Sequence, residues 1–164
     1  MSTQALIGDR KLTKYFRAPN QRIDGPLNIA MRVTIRSDAN RIFQALTQPE
    51  YLETWIAIPG AFADSHLIAT QNLSSFRLDL YRNGVRDLTI EGEYKVRRRR
   101  KMLFTWRTAG PTLNAESLVY IGLHGNFNET VLELHHRGIS SPQEHAWQQE
   151  MWCESLNRLN RLLS

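Results

Sequence analysis

The chain has 164 residues, 41% of them hydrophobic, and a formal net charge of +5, the length and composition of a single globular domain with its own core. The charge is local: residues 1–27 carry +3, Arg97–Lys101 carry +5 and the rest of the chain −3, which excludes the broad basic face that nucleic-acid binding takes. No apolar run approaches the roughly 18–20 residues of a bilayer span, and a lone Cys153 without a secretion-signal pattern implies a disulfide-free, cytoplasmic setting.

Residues 1–28 mix polar and apolar side chains without a sustained period and read as an extension, partly ordered at best. Residues 29–164 read as the folded domain. In "IAMRVTIRS", Met31, Val33 and Ile35 alternate with Arg32, Thr34 and Arg36, the pattern of a strand with one buried face. Asp38 then caps a short helix, "ANRIFQAL", with Ile42, Phe43 and Leu46 on one side. A second short helix follows in "TQPEYLETW", where Thr47 and Glu50 have capping-box spacing and Pro49 sits in the first turn. Leu52, Trp55 and Ile56 supply its apolar contacts, and Pro59-Gly60 ends it.

From His66 to His136 the pattern is β throughout, with strands in "SSFRLDLYR", "VRDLTIEGEYKV", "KMLFTWR", "ESLVYIGLH" and "TVLELHH". An antiparallel meander is the simplest arrangement. Asn83-Gly84 predicts a type I′ hairpin, because both residues tolerate positive φ, and Gly125–Asn128 predicts another turn. The run Arg97–Lys101 reads as the solvated end of the hairpin between "EGEYKV" and "MLFTWR". Finally, Ser141-Pro142-Gln143-Glu144 opens a long helix whose stripe of Trp147, Met151, Trp152, Ser155, Leu156, Leu159, Leu162 and Leu163 needs a large partner surface. At about 1.5 Å per residue it spans roughly 33 Å, enough to cross a small sheet.

These parts define an α+β domain: an antiparallel sheet, two short helices after the first strand, and a long C-terminal helix laid across one sheet face. The ordered set "RSDANRIFQALTQPEYLETWI", "EGEY" with "MLFTW", and "TVLELHHRG" with "MWCESLNRLNRLL" resembles the SRPBCC or START-like helix-grip superfamily. Within it, the chain is similar to the C-terminal domain of the heat-shock-protein-ninety ATPase activator. The resemblance covers residues 29–163 and implies a strongly curved sheet, an incomplete barrel, wrapped around the terminal helix. It also implies binding of hydrophobic small molecules, with cyclase, hydratase or hydrolase activity or a chaperone-accessory role as alternatives. Two features depart from the family pattern. Met151 stands where a glycine commonly precedes the tryptophan of the last helix, and a Gly-rich strand start is missing near residues 72–76.

Chemistry-bearing motifs are sparse. His135 and His136 are adjacent in a strand and point to opposite faces, so they cannot share a metal ion. His145 is assigned to a polar helix face. Neither nucleophile-elbow nor phosphate-binding glycine motifs occur, so no cofactor is indicated. His136, on the face with Leu132 and Leu134, is the one candidate acid–base group, and whether the chain is an enzyme stays open. Parity nominates a pocket wall of Phe76, Leu78 and Leu80; Ile90 and Tyr94; Met102, Phe104 and Trp106; Leu132, Leu134 and His136; and Trp147 and Met151, with Trp55 closing one end. The expected partner is a hydrophobic or amphipathic small molecule. A chaperone or other protein and a homodimer remain open options; neither nucleic acid nor a membrane span is expected.

Overall fold

The computed structural model describes residues 27–109 and 114–164. Strand β1 (Leu27–Ile35) is followed by helices α1 (Ala39–Thr47) and α2 (Pro49–Trp55), then by β2 (Ser65–Gln71), β3 (Ser75–Arg82), β4 (Val85–Arg98), β5 (Lys101–Ala109), β6 (Asn114–Gly125) and β7 (Thr130–Ile139). Helix α3 (Pro142–Leu163) completes the fold. The expected extension over residues 1–28 falls almost wholly outside the described residues, and β1 begins at Leu27.

All seven strands form one antiparallel sheet in the order β1-β7-β6-β5-β4-β3-β2. The expectation of a strongly curved sheet, an incomplete barrel wrapped around the helix, is overturned. The sheet is not strongly curled: β1 and β2 are its two open edges, and α3 lies along β1 at one side. Sequence patterns carry strand parity but not the coiling of the finished sheet, which depends on how neighbouring strands pair and twist. Edge strand β2 pairs only with β3 and was not separated from the general β pattern in the sequence.

Local chemistry sets the turns and caps. Asn83 and Gly84 have φ of 52° and 76° between β3 and β4, as a type I′ turn requires. Asn126 Oδ1 accepts from the backbone N–H of Asn128 and Glu129 between β6 and β7. Asp38 Oδ1 accepts from Arg41 N, and Ser141 Oγ from Glu144 N, satisfying the first turns of α1 and α3. The capping box at Thr47 does not form. Thr47 Oγ1 donates to Phe43 O inside α1, and Gln48 precedes α2 without a side-chain cap.

The inner sheet face is covered unevenly. A helix about 10–12 Å across covers two or three strands spaced about 4.8 Å apart, so α3 cannot cover seven. It runs from Glu144, which accepts from Thr108 Oγ1 of β5, to Ser164, whose Oγ accepts from Arg36 N just after β1. Helices α1 and α2 cover what remains. They are tied in by Trp55 Nε1 donating to Ala45 O, Ala57 N to Ser155 Oγ of α3, and Ala69 N of β2 to Glu53 Oε2.

Candidate functional site

An apolar void of about 30 Å³ lies in the seam between the short helices, α3 and the middle of the sheet. From the sheet, Phe76 and Leu78 (β3), Tyr94 (β4), Met102, Phe104 and Trp106 (β5) and Ile121 (β6) face it. Leu46, Leu52, Trp55 and Ile56 close it from the short helices, and Trp152 from α3. Six of these twelve are aromatic, and all but Trp55 form a continuous wall of tilted and edge-on rings: Trp106 and Trp152 centroids are 4.9 Å apart, Phe76 and Trp106 5.9 Å, Phe76 and Phe104 5.5 Å, Phe76 and Tyr94 5.7 Å. Gly92 makes this wall possible. A Cβ there would stand 1.9 Å from Thr105 O and 2.6 Å from Phe76 Cε1, so only glycine lets β5 and the Phe76 ring approach β4 together.

Of the residues nominated from parity, Trp55, Phe76, Leu78, Tyr94, Met102, Phe104 and Trp106 line the void. Leu80, Ile90, Leu132, Leu134 and Met151 are buried in the hydrophobic cluster away from it, and half-buried Trp147 packs against that cluster. Met151 therefore does not narrow the void; its sulfur accepts from Ser155 Oγ at 3.6 Å. The wall residues not foreseen are Leu46, Leu52, Ile56, Ile121 and Trp152. Leu46, Leu52 and Ile56 had been read as apolar helix contacts, and nothing in helical periodicity says which strands a short helix covers.

His136 is fully buried and is not part of the void wall. Trp152 Nε1–H, which can only donate, points to His136 Nδ1 at 2.9 Å. Nδ1 is thus the acceptor, and the proton of the neutral ring sits on Nε2, 2.5 Å from Ser117 Oγ. The serine passes its hydrogen to Trp106 O at 3.3 Å. Burial, with a smaller contribution from the charge of His145, lowers the His136 pKa to about 3, so the ring is neutral at ordinary pH. Both nitrogens are occupied, and among the described residues no carboxylate is hydrogen-bonded to the ring. In this arrangement the histidine is a fixed strut between β7, β6 and α3.

A second buried polar group escaped the sequence reading. Glu144 Oε2 accepts from Gln148 Nε2 at 2.8 Å and from Thr108 Oγ1 at 3.3 Å, and all three residues are buried. Glu144 and Gln148 continue the four-residue spacing of Trp152 toward the start of α3, a signal that polarity masked. His145 is also buried, with Nε2 3.1 Å from Asn28 O, so its assignment to a polar helix face is corrected.

A larger concavity, about 610 Å³, opens on the opposite sheet face between Arg77, Glu91, Thr105 and Arg107. Part of its charge is paired: Arg107 lies 3.2 Å and Arg77 3.6 Å from Glu91, and Arg77 2.9 Å from Asp79. Partial burial pushes Asp79 up, but the hydrogen bonds from Thr89 and Arg77, with the charges of Arg77 and Arg86, hold it below its usual carboxylate range.

Fold and void together define an α+β protein in which a long helix lies on an antiparallel sheet beside an aromatic-walled gap. Residues 36–164 match the family described as Activator of Hsp90 ATPase homolog 1-like protein, and the chain belongs to that family, within the SRPBCC superfamily. This fold family is generally associated with small-molecule-binding cavities. Among solved structures, a protein of Chromobacterium violaceum is similar at 16% identity and a TM-score of 0.66, covering 83% of this chain and 96% of its own. One from Arthrobacter aurescens has 12% identity and a TM-score of 0.70, with 88% and 89% covered. CalU16 from Micromonospora echinospora has 19% identity and a TM-score of 0.58, with 84% and 76% covered. At these identities the likeness shows the fold alone. No curated protein matches the chain. Among the described residues no helix is long and apolar enough to cross a membrane.

Proposed function

We propose that this protein binds a hydrophobic or amphipathic small molecule in the gap between the sheet, α3 and the short helices. The observation that carries this reading is the aromatic wall around the void, with Trp55, Phe76, Tyr94, Phe104, Trp106 and Trp152 turned toward one space. Flat apolar surfaces of this kind suit a ligand that buries most of its area and is oriented by a few polar tips. As it stands, the void is the size of about one water molecule's share of liquid volume, whereas ligand pockets run to about 300–1,000 Å³. Binding therefore requires the gap to widen. The wall suited to yield is α1–α2, nine and seven residues long, because the sheet wall is fixed by hydrogen bonds on both sides of every central strand.

Saturable quenching of tryptophan fluorescence by naphthalenemethanol tests the reading. Ile121→Trp, which fills the gap from β6, is expected to weaken binding at least about tenfold, the loss of a few kcal/mol of buried contact. No saturable response in the wild-type chain, together with no small molecule retained in native mass spectrometry, refutes it.

A chaperone-accessory or stress-response role is the second reading. The near-filled interior favours it, as do the exposed Arg98–Lys101 turn beside Phe127, which is 90% exposed, and the family's description. Co-precipitation with a heat-shock chaperone, abolished by charge reversal at Arg98–Lys101, is its expected signature. Catalysis through His136 is not favoured, since the ring has no free nitrogen to offer a substrate.

A further inference from the structure

Strict alternation along β4 would send Arg97 to the solvent face, because Tyr94 points inward and Arg97 is three residues further on. A β-bulge between Tyr94 and Val96 reverses that parity. Val96 pairs with Leu103, and Arg97 with Met102, a residue of the void wall. The Arg97 guanidinium carbon lies 5.3 Å from the Phe43 ring centre on α1 and 5.5 Å from that of Tyr94. The rest of the basic run behaves as a turn: Arg98, Arg99, Arg100 and Lys101 are exposed, and Arg99 donates to Asn40 Oδ1. Reading the whole run as a solvated hairpin end is therefore corrected at its first member.

Arg97 Nε is buried and has no hydrogen-bond partner among the described residues. A buried N–H left without an acceptor is costly, and native structures rarely keep one without a reason. Trp106 Nε1, on a residue of the void wall, is a second buried donor without an acceptor. The Tyr94 hydroxyl, whose ring lies beside Arg97, donates to Gln71 Oε1 at 2.8 Å. Both unmet polar atoms at the void and its rim are thus N–H donors, one of them on a permanent cation. Among the described residues no acidic side chain lines the void. The arrangement lacks an anionic oxygen that the protein does not itself supply.

We infer that Arg97 is the headgroup-binding residue of a site for amphipathic carboxylates, whose oxygens meet the guanidinium at the rim while the apolar body enters the aromatic gap. This rests on the small-molecule reading above and narrows its ligand class. The planar guanidinium fork matches a carboxylate in a way a neutral hydroxyl cannot. Phe43 and Tyr94 hold the fork in place from the two walls that must part for entry, so the headgroup contact and the opening of the gap are coupled at one point.

Isothermal titration of the full chain with naphthoate and with neutral naphthalenemethanol separates the two claims. The wild type is expected to bind naphthoate about tenfold to a hundredfold more tightly than the alcohol, the range for a hydrogen bond to a charged group. Arg97→Gln is expected to bring the two within about threefold by removing that charge-assisted bond, and circular dichroism of the variant reports that it is folded. Equal wild-type affinities, or a naphthoate preference that survives in Arg97→Gln, overturn the headgroup role while leaving the gap as a binding site. Failure of both probes to bind overturns the gap reading and this inference with it. Should Arg97→Gln lose the alcohol as well, the wild-type comparison alone decides.

Discussion

The two halves of the inner sheet face are built from the same kinds of residue and end in different states. On the β1–β7 side, Met31, Val33, Leu132 and Leu134 are buried to 1% exposure or less beside α3, and none of them lines the void. On the β3–β5 side, equally apolar residues meet two short helices, and a gap remains. The difference lies in the cover. A continuous 22-residue helix presents an unbroken ridge of side chains, whereas α1 and α2 break direction at Gln48 and leave a seam where they face α3. Apolar composition specifies that a surface is buried; the continuity of the opposing element decides whether it is filled.

Truncation on the two sides sharpens this contrast most. Leu134→Ala, on a central strand that cannot collapse around the space, is expected to cost toward the upper end of the about 2–5 kcal/mol typical of such changes. Leu46→Ala, on the short-helix wall, is expected to fall near the lower end, because α1 and α2 can settle into the enlarged gap. Urea unfolding of both variants checks the order, and a reversal would show that the short-helix wall is the rigid one.

The next effect in size is a pH dependence confined to the packed side. His136 has a folded pKa of about 3 against an ordinary value of 6.5, so the unfolded chain binds a proton in this range that the folded one refuses. Its contribution to stability is fully present above about pH 6.5 and is lost as pH falls toward about 3, at up to about 1.4 kcal/mol per pH unit. His136→Gln is expected to remove that part of the slope in acid unfolding curves. An unchanged slope would mean that water reaches the ring and that the packed side is wetter than its burial indicates.

Much of this contrast was open to inspection in the sequence. Period-two alternation identified which of Phe76, Leu78, Met102, Phe104 and Trp106 share the inner face, since side chains along a strand have only two directions. What stayed hidden were relations between elements. Leu46 and Leu52 could be seen as apolar, but the strands they would oppose could not be seen; Trp152 gave no sign that His136 would take its N–H. The uncurled sheet was missed because pairing geometry, which sets coiling, is not written in any one strand. Arg97 stays hidden for a sharper reason: its run of like charges reads as a solvated turn, and the one-residue bulge that turns its first member inward leaves no mark in the sequence.

The smallest expected effect isolates that bulge. Burial pushes Tyr94 up to about 12, and the nearby positive charge of Arg97 holds it back from going higher. Removing the charge in Arg97→Gln is expected to raise the Tyr94 pKa further, read by NMR of the labelled tyrosine ring under alkaline conditions. Arg99→Gln, two residues on and outside the bulge, is expected to leave Tyr94 unmoved and to change stability by no more than about 0.5 kcal/mol, as exposed substitutions do. If both variants shift Tyr94 alike, the run acts as a diffuse cloud of charge, and the inward turn of Arg97 carries no special field at the gap. A shift confined to Arg97→Gln means instead that one of four consecutive arginines belongs to the interior side of the sheet, which makes the bulge the feature that joins the basic turn to the aromatic gap.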